Sequence, residues 1–149
     1  MNEIPAEVIE AEKTRGPSEL RVGSVVWRDV ERYHRPHEYT PEEHFEPIVI
    51  TSETKFSWVA KYGWREFKFP KKKDPNEYHK DPDTRLSKNG RHGAVRMYLT
   101  WRAVSDEVWG MKNRDPLRKH LDGLLDLIGY GGVQKLRRIA TLIGYQEKP

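Results

Sequence analysis

The sequence predicts an α+β fold, a small SH3-like β-barrel of four to five antiparallel strands over residues 19–99, followed by two or three C-terminal α-helices over residues 100–145. Three observations predict it. Between residues 20 and 69, short β-branched and aromatic runs alternate with turn residues, as in a set of short antiparallel strands. From residue 100 onward, apolar residues instead recur at spacings of three and four, the period of a helix face. The length of 149 residues suits one domain, and with only 36% apolar residues, the five Trp, seven Tyr and four Phe must supply much of its core.

Residues 1–18 hold only Ile4, Val8 and Ile9 as apolar anchors and end in "GPS", so they read as a flexible acidic N-terminal arm with at most a helical turn. In "LRVGSVVWRDV", Leu20, Val22, Val25, Val26, Trp27 and Val30 favour a first strand, bent or bulged at Gly23. "ERYHRPHEYTPEEHFEP" has no apolar period and reads as a long loop. "IVITSETKFSWVAKYGWREFKFP" then reads as three strands, over residues 47–51, 55–61 and 64–69, turned at "SET" and "YG". Strand alternation places Phe56, Trp58 and Ala60 on one face and Lys55, Ser57, Val59 and Lys61 on the other. It likewise sets Arg65, Phe67 and Phe69 opposite Trp64, Glu66 and Lys68. Residues 70–94 have hardly an apolar side chain to offset their ordering entropy, which predicts an exposed loop before a short closing strand, "VRMYL".

In the helical part, Thr100 is an N-cap candidate for a helix through about Asn113, with Trp101, Val104, Val108 and Met111 on one stripe. Asp115 and Pro116 suit the cap and first position of a second helix, lined by Leu117, Leu121, Leu124, Leu125 and Ile128 and ended at Gly129. A third helix carries Val133, Leu136, Ala140 and Ile143 up to Gly144. "LIGY" occurs at 127–130 and again at 142–145, which reads as the same helix-ending chemistry used twice.

Composition narrows the chemistry. Without cysteine there is no disulfide, thiolate nucleophile or Cys-ligated zinc. The first residues lack the pattern of a signal peptide, and no run approaches 18 apolar residues, so the expectation is a cytoplasmic protein with no membrane partner. The net charge of +4 is unevenly spread. Residues 1–19 and 20–52 carry −3 and −2, whereas residues 53–96 carry twelve Lys/Arg against six Asp/Glu and residues 97–149 nine against six. The basic half can attract a polyanion.

The aromatic and basic stretch at 52–73 has two readings. Exposed aromatics flanked by lysines suit base stacking and phosphate contact. Alternatively Phe56, Trp58, Phe67 and Phe69 fill the barrel, the reading favoured here because aliphatic residues are scarce. The lysines are a separate matter, and the candidate nucleic-acid contacts are Lys61, Arg65, Lys68, Lys71, Lys72, Lys73, Lys80, Arg85, Lys88 and Arg91.

Other constellations are weaker. His34, His37 and His44, beside Glu38, Glu43 and Glu46, lack the spacing of a known zinc helix, so no metal or other cofactor is expected. Glu53-Thr-Lys55 and Glu66-Phe-Lys68 each match the Glu-x-Lys element of divalent-metal nucleases, but such sites also need an upstream acidic residue, and the only Pro-Asp pair, Pro82-Asp83, lies downstream. No P-loop, nucleophile elbow or zinc-protease motif occurs, and the chain reads as non-enzymatic. Gln134, Lys135, Arg137 and Arg138 could face DNA from a helix-turn-helix, though an αα-hairpin accounts for the same pattern.

The set "VGSVVW", "PIVITSETKFSWV", "KFPKKK", "YLTWRAVSDEVW" and "LRRIATLIGY" resembles a family of small, uncharacterised phage and prophage β-barrel domain proteins, over roughly residues 20–145. Glu53, Thr54, Ser57, Trp58, Val59, Lys68, Pro70 and Lys71 carry the resemblance. It implies a phage origin and a small barrel, and transfers no catalytic residues. The expected function is a non-enzymatic phage accessory protein in the host cytoplasm that contacts nucleic acid through its basic loop. The alternatives are a module that engages or inhibits a host or phage protein through the barrel rim and residues 31–46, and a metal-dependent nuclease.

Overall fold

Val25, Val26 and Trp27 are three consecutive large apolar residues, so a strand through them must be covered on both faces. That strand, β1 (Val25–Asp29), is central to the sheet. The computed structural model describes residues 3–30, 40–77, 81–90, 93–128 and 133–145. Its strands are β1, β2 (Phe45–Glu53), β3 (Ser57–Tyr62), β4 (Arg65–Pro70), β5 (Thr84–Gly90) and β6 (Gly93–Tyr98). They form one antiparallel sheet in the order β4-β3-β2-β1-β6-β5, whose outer strands β4 and β5 approach each other to leave a nearly closed barrel. The helices are α1 (Ala6–Glu12), α2 (Trp101–Ile128) and α3 (Val133–Leu142). The chain divides into two units, Met1–Trp109 and Gly110–Pro149.

Inside the barrel, Val26, Ile48, Ile50, Ala60, Phe67, Phe69, Val95, Met97 and Leu99 form one buried cluster. Opposite it, Trp27 packs on Trp101 with ring centres 5.4 Å apart, and Phe45 meets Tyr98 edge-on at 5.0 Å. A register shift between Ile50 and Ser52 inserts Thr51 as an extra residue in β2, the kind of bulge that bends a sheet toward closure. Gly23 takes φ +95°, a conformation only glycine adopts freely, and its N–H donates to the Ile50 carbonyl at 2.8 Å. The bend expected there therefore lies just ahead of β1.

The stretch read from sequence as a free arm carries α1 and an anchor behind it. Buried Arg15 donates through Nη2 to the carbonyls of Val25 (2.7 Å) and Leu99 (2.8 Å), joining the start of β1 to the end of β6. Glu12 Oε2 accepts from Arg15 Nε at 2.6 Å and from the Val25 N–H at 3.0 Å.

Several expectations need correction. Among the described residues the barrel has six strands, where four to five were expected, because Thr84–Gly90, within the supposed 70–94 loop, is strand β5. That strand pairs with β6 through backbone groups and buries Thr84, Arg85 and Ser87, so its driving force never appears as hydrophobicity. Phe56, assigned to the core, lies in the β2–β3 turn and is exposed, because Thr54 Oγ1 accepts the N–H groups of Phe56 and Ser57 and turns the chain before β3 starts. Trp58 is half-buried, while Phe67 and Phe69 are core as expected. Thr100 does cap α2, with its Oγ1 accepting the Ala103 N–H, and Asp83 Oδ2 accepts from that hydroxyl at 2.9 Å and from Arg102 Nη2 at 3.1 Å.

The second helix does not start at Pro116. Helix α2 runs through this proline, giving up one backbone hydrogen bond, and Leu117 and Leu121 of the expected apolar stripe stand exposed. Good helix formers on both sides of the proline favour continuing the helix over a new cap at Asp115. Within the second unit, α3 ends as expected at Gly144, whose φ of +72° lets the Tyr145 N–H reach the Ala140 carbonyl at 2.8 Å. Gly129 lies outside the described residues.

Tyr98 is 1% exposed, and burial pushes its phenol up to about 12, helped by the Glu107 and Asp29 carboxylates and opposed by Arg96. A folded-state value raised above the ordinary 10.0 means that Tyr98 favours the folded state fully below pH 10, and that this contribution is lost as the pH climbs toward 12. In an alkaline ultraviolet titration one tyrosine should ionise about two pH units late, and stability should fall over the same window. Tyr98→Phe should remove the late step; a titration in which every tyrosine ionises near 10 would refute the assignment.

Candidate nucleic-acid interface

The β3–β4 hairpin presents its basic side chains because of strand alternation. Register pairs Lys61 with Glu66, Val59 with Lys68, and Ala60 with Phe67, so Phe67 and Phe69 enter the barrel while Lys61 and Lys68 point outward. Lys61 is exposed and only loosely paired, 3.9 Å from Glu66 Oε2. Lys68, Lys72 and Lys88 are exposed as well. Together these four are the members of the expected contact set most open to a polyanion.

The rest of that set is engaged in the fold or only half-open. Lys71 is half-buried, with Nζ 2.6 Å from Glu53 Oε2 and 4.4 Å from the centre of the Trp58 ring. Lys73 donates to Glu77 Oε1 at 3.1 Å and to the Thr84 carbonyl at 2.8 Å. Half-buried Arg65 lays its guanidinium 5.1 Å from the Phe67 ring centre. Arg85 is buried: Nε and Nη2 donate to the Lys71 carbonyl at 3.4 and 3.1 Å, and Nη1 donates to the carbonyls of Thr84 at 3.0 Å and of Pro82. Burial pushes its pKa down, with Glu77, Asp83 and Asp81 pulling the other way. Arg85 therefore bridges β5 to the end of β4, where the sheet does not hydrogen-bond to itself. Lys80 and Arg91 lie outside the described residues.

Two aromatics outside the expected contact set stand in water. Trp64, beyond the left-handed Gly63 in the β3–β4 turn, is 89% exposed, and Phe56 in the β2–β3 turn is 71% exposed. Lys55 Nζ stands 5.3 Å from the Phe56 ring centre. The signal was available at Trp64, since a residue directly after a turn glycine has little sheet to pack on. At Phe56 it was masked by a parity that matches Trp58 and Ala60.

Glu53, the leading residue of one nuclease-like element, is committed to Lys71, and Glu66 faces Lys61. Among the described residues no three His, Asp or Glu side chains come together to hold a metal ion. His44 is buried in the short 3-10 turn Glu42–His44, while His34, His37 and Glu38 lie outside the described residues. In the second unit Arg137 and Arg138 are exposed on α3. Among the described residues, no helix is long and apolar enough to cross a membrane. Comparison with protein-family models, with characterised proteins and with solved structures gives no match to this chain.

Proposed function

We propose that this chain is a non-enzymatic accessory protein of phage origin that binds nucleic acid in the host cytoplasm through the outward face of β3–β4 and the lysine run that follows it. The observation that carries the proposal is the exposure of Lys61, Lys68 and Lys72 on one continuous stretch, next to two aromatic side chains left in water. Charge of this kind acts on the phosphate backbone irrespective of sequence. We read the scaffold as SH3-like; supporting this are the β1–β4 meander, the return of β6 beside β1, and the bulge that bends β2.

Fluorescence anisotropy with labelled DNA and RNA at about 50 mM salt tests the proposal, because electrostatic contacts are strongest at low salt. Three phosphate contacts should give a log–log salt slope of about −2 on a single strand. Replacing Lys61, Lys68 and Lys72 together by alanine should flatten that slope and weaken binding. Absence of binding to any nucleic acid at low salt would overturn the proposal.

A further inference from the structure

We infer that the nucleic acid this surface takes is single-stranded, with unpaired bases stacked on Trp64 and Phe56 at the two ends of strand β3. The inference rests on the nucleic-acid reading above and adds the form of the ligand. Both rings occupy turns, one before β3 and one after it, and both are mostly in water. A tryptophan 89% exposed gains nothing from the barrel core, whereas an aromatic face offered to solvent can stack on any base. A duplex hides its base faces within its own stack, so only an unpaired strand can use these rings.

Charge complementarity fits the same occupant. Lys55 stands beside the Phe56 ring, Arg65 follows Trp64 in sequence, and Lys61 and Lys68 point outward from the ladder between the two turns. Bases at the ends and phosphates between them is the division of labour that sequence-tolerant single-strand binding requires. The six residues of β3 separate the rings by about 20 Å at the usual strand rise, which suits the short end of known site sizes, about four nucleotides.

Binding of the 149-residue chain to oligo(dT), oligo(U) and a duplex of equal length tests this. Both single strands should bind more tightly than the duplex. Trp64→Ala and Phe56→Ala should each weaken single-strand binding by roughly 5- to 100-fold and leave duplex binding unchanged. Trp64→Phe should recover most of the loss, which a purely structural role of Trp64 would not predict. Because both side chains are exposed, the thermal midpoints of the alanine variants should match that of the parent protein. Equal affinity for duplex and single strand, insensitive to Trp64→Ala, would overturn the stacking inference and leave the nucleic-acid reading standing; no binding to any of the three would overturn both.

Discussion

Arg15→Ala is expected to destabilise the protein by about 3–5 kcal/mol, the cost typical of removing one partner from a buried ion pair. Its guanidinium has little access to water and bonds the Val25 and Leu99 carbonyls as well as Glu12. Truncation leaves two carbonyls with a lost donor and a carboxylate, only 12% exposed, without its counter-charge. A loss of that size is a large share of a typical folding free energy of about 5–15 kcal/mol. Urea unfolding followed by tryptophan fluorescence measures it. Part of the cost is the stranded charge, so Glu12→Gln combined with Arg15→Met should be less damaging than Arg15→Ala alone. A loss below about 1 kcal/mol would mean that the N-terminal segment is not held as described.

Arg85→Ala should cost about 3 kcal/mol or more, since three backbone carbonyls lose a charged donor in a place where water does not replace it. The consequence separates two roles that sequence could not. A surface phosphate contact, when removed, lowers affinity and leaves stability almost unchanged; a buried bridge between β4 and β5 does the reverse. Stability from chemical denaturation and affinity from anisotropy, measured at a temperature where the variant is folded, distinguish them. Lys68→Ala is the matched control, because Lys68 is exposed on the neighbouring strand and should alter binding alone. An Arg85→Ala protein of parental stability with weakened binding would contradict the bridge.

Strands β3 and β4 were legible because strict alternation and a Tyr-Gly turn agree: expected spans of 55–61 and 64–69 became Ser57–Tyr62 and Arg65–Pro70. The first strand was legible in its apolar run, although Gly23 delays it to Val25. Strand β5 was not, because "TRLSKNG" contains a single large apolar residue and its buried side chains, Thr84, Arg85 and Ser87, are polar. Hydropathy cannot register such a strand. Helix α2 failed at its middle for a different reason. Local capping chemistry at Asp115-Pro116 is real as a preference, yet worth less here than continuing an established helix. At the candidate interface, Lys61 and Lys68 followed from parity alone, but Arg85 could not be placed while its strand was unrecognised. Phe56 was misplaced because parity was extended one residue into a turn.

Arg28 shows how the barrel end accommodates charge without exposing it. Its guanidinium lies 4.6 Å from the Tyr62 ring centre and 5.4 Å from that of Phe67, and donates through Nη2 to Glu46. Among the described residues its Nε and Nη1 have no hydrogen-bond partner, and the aromatic faces supply further stabilisation of the cation.

The place of β1 between β2 and β6 also sets an order of events during folding. Its β2 edge can be satisfied by chain about twenty residues away, but its other edge waits for Trp27 to meet Tyr98, and Arg15 waits for a carbonyl 84 residues distant. The four-strand meander can therefore zip early, while ring closure is a late, entropically slow contact. On a ribosome, the growing chain carries an unpaired β1 edge until Tyr98 has been made, and during that interval it is open to mispairing with a neighbouring chain.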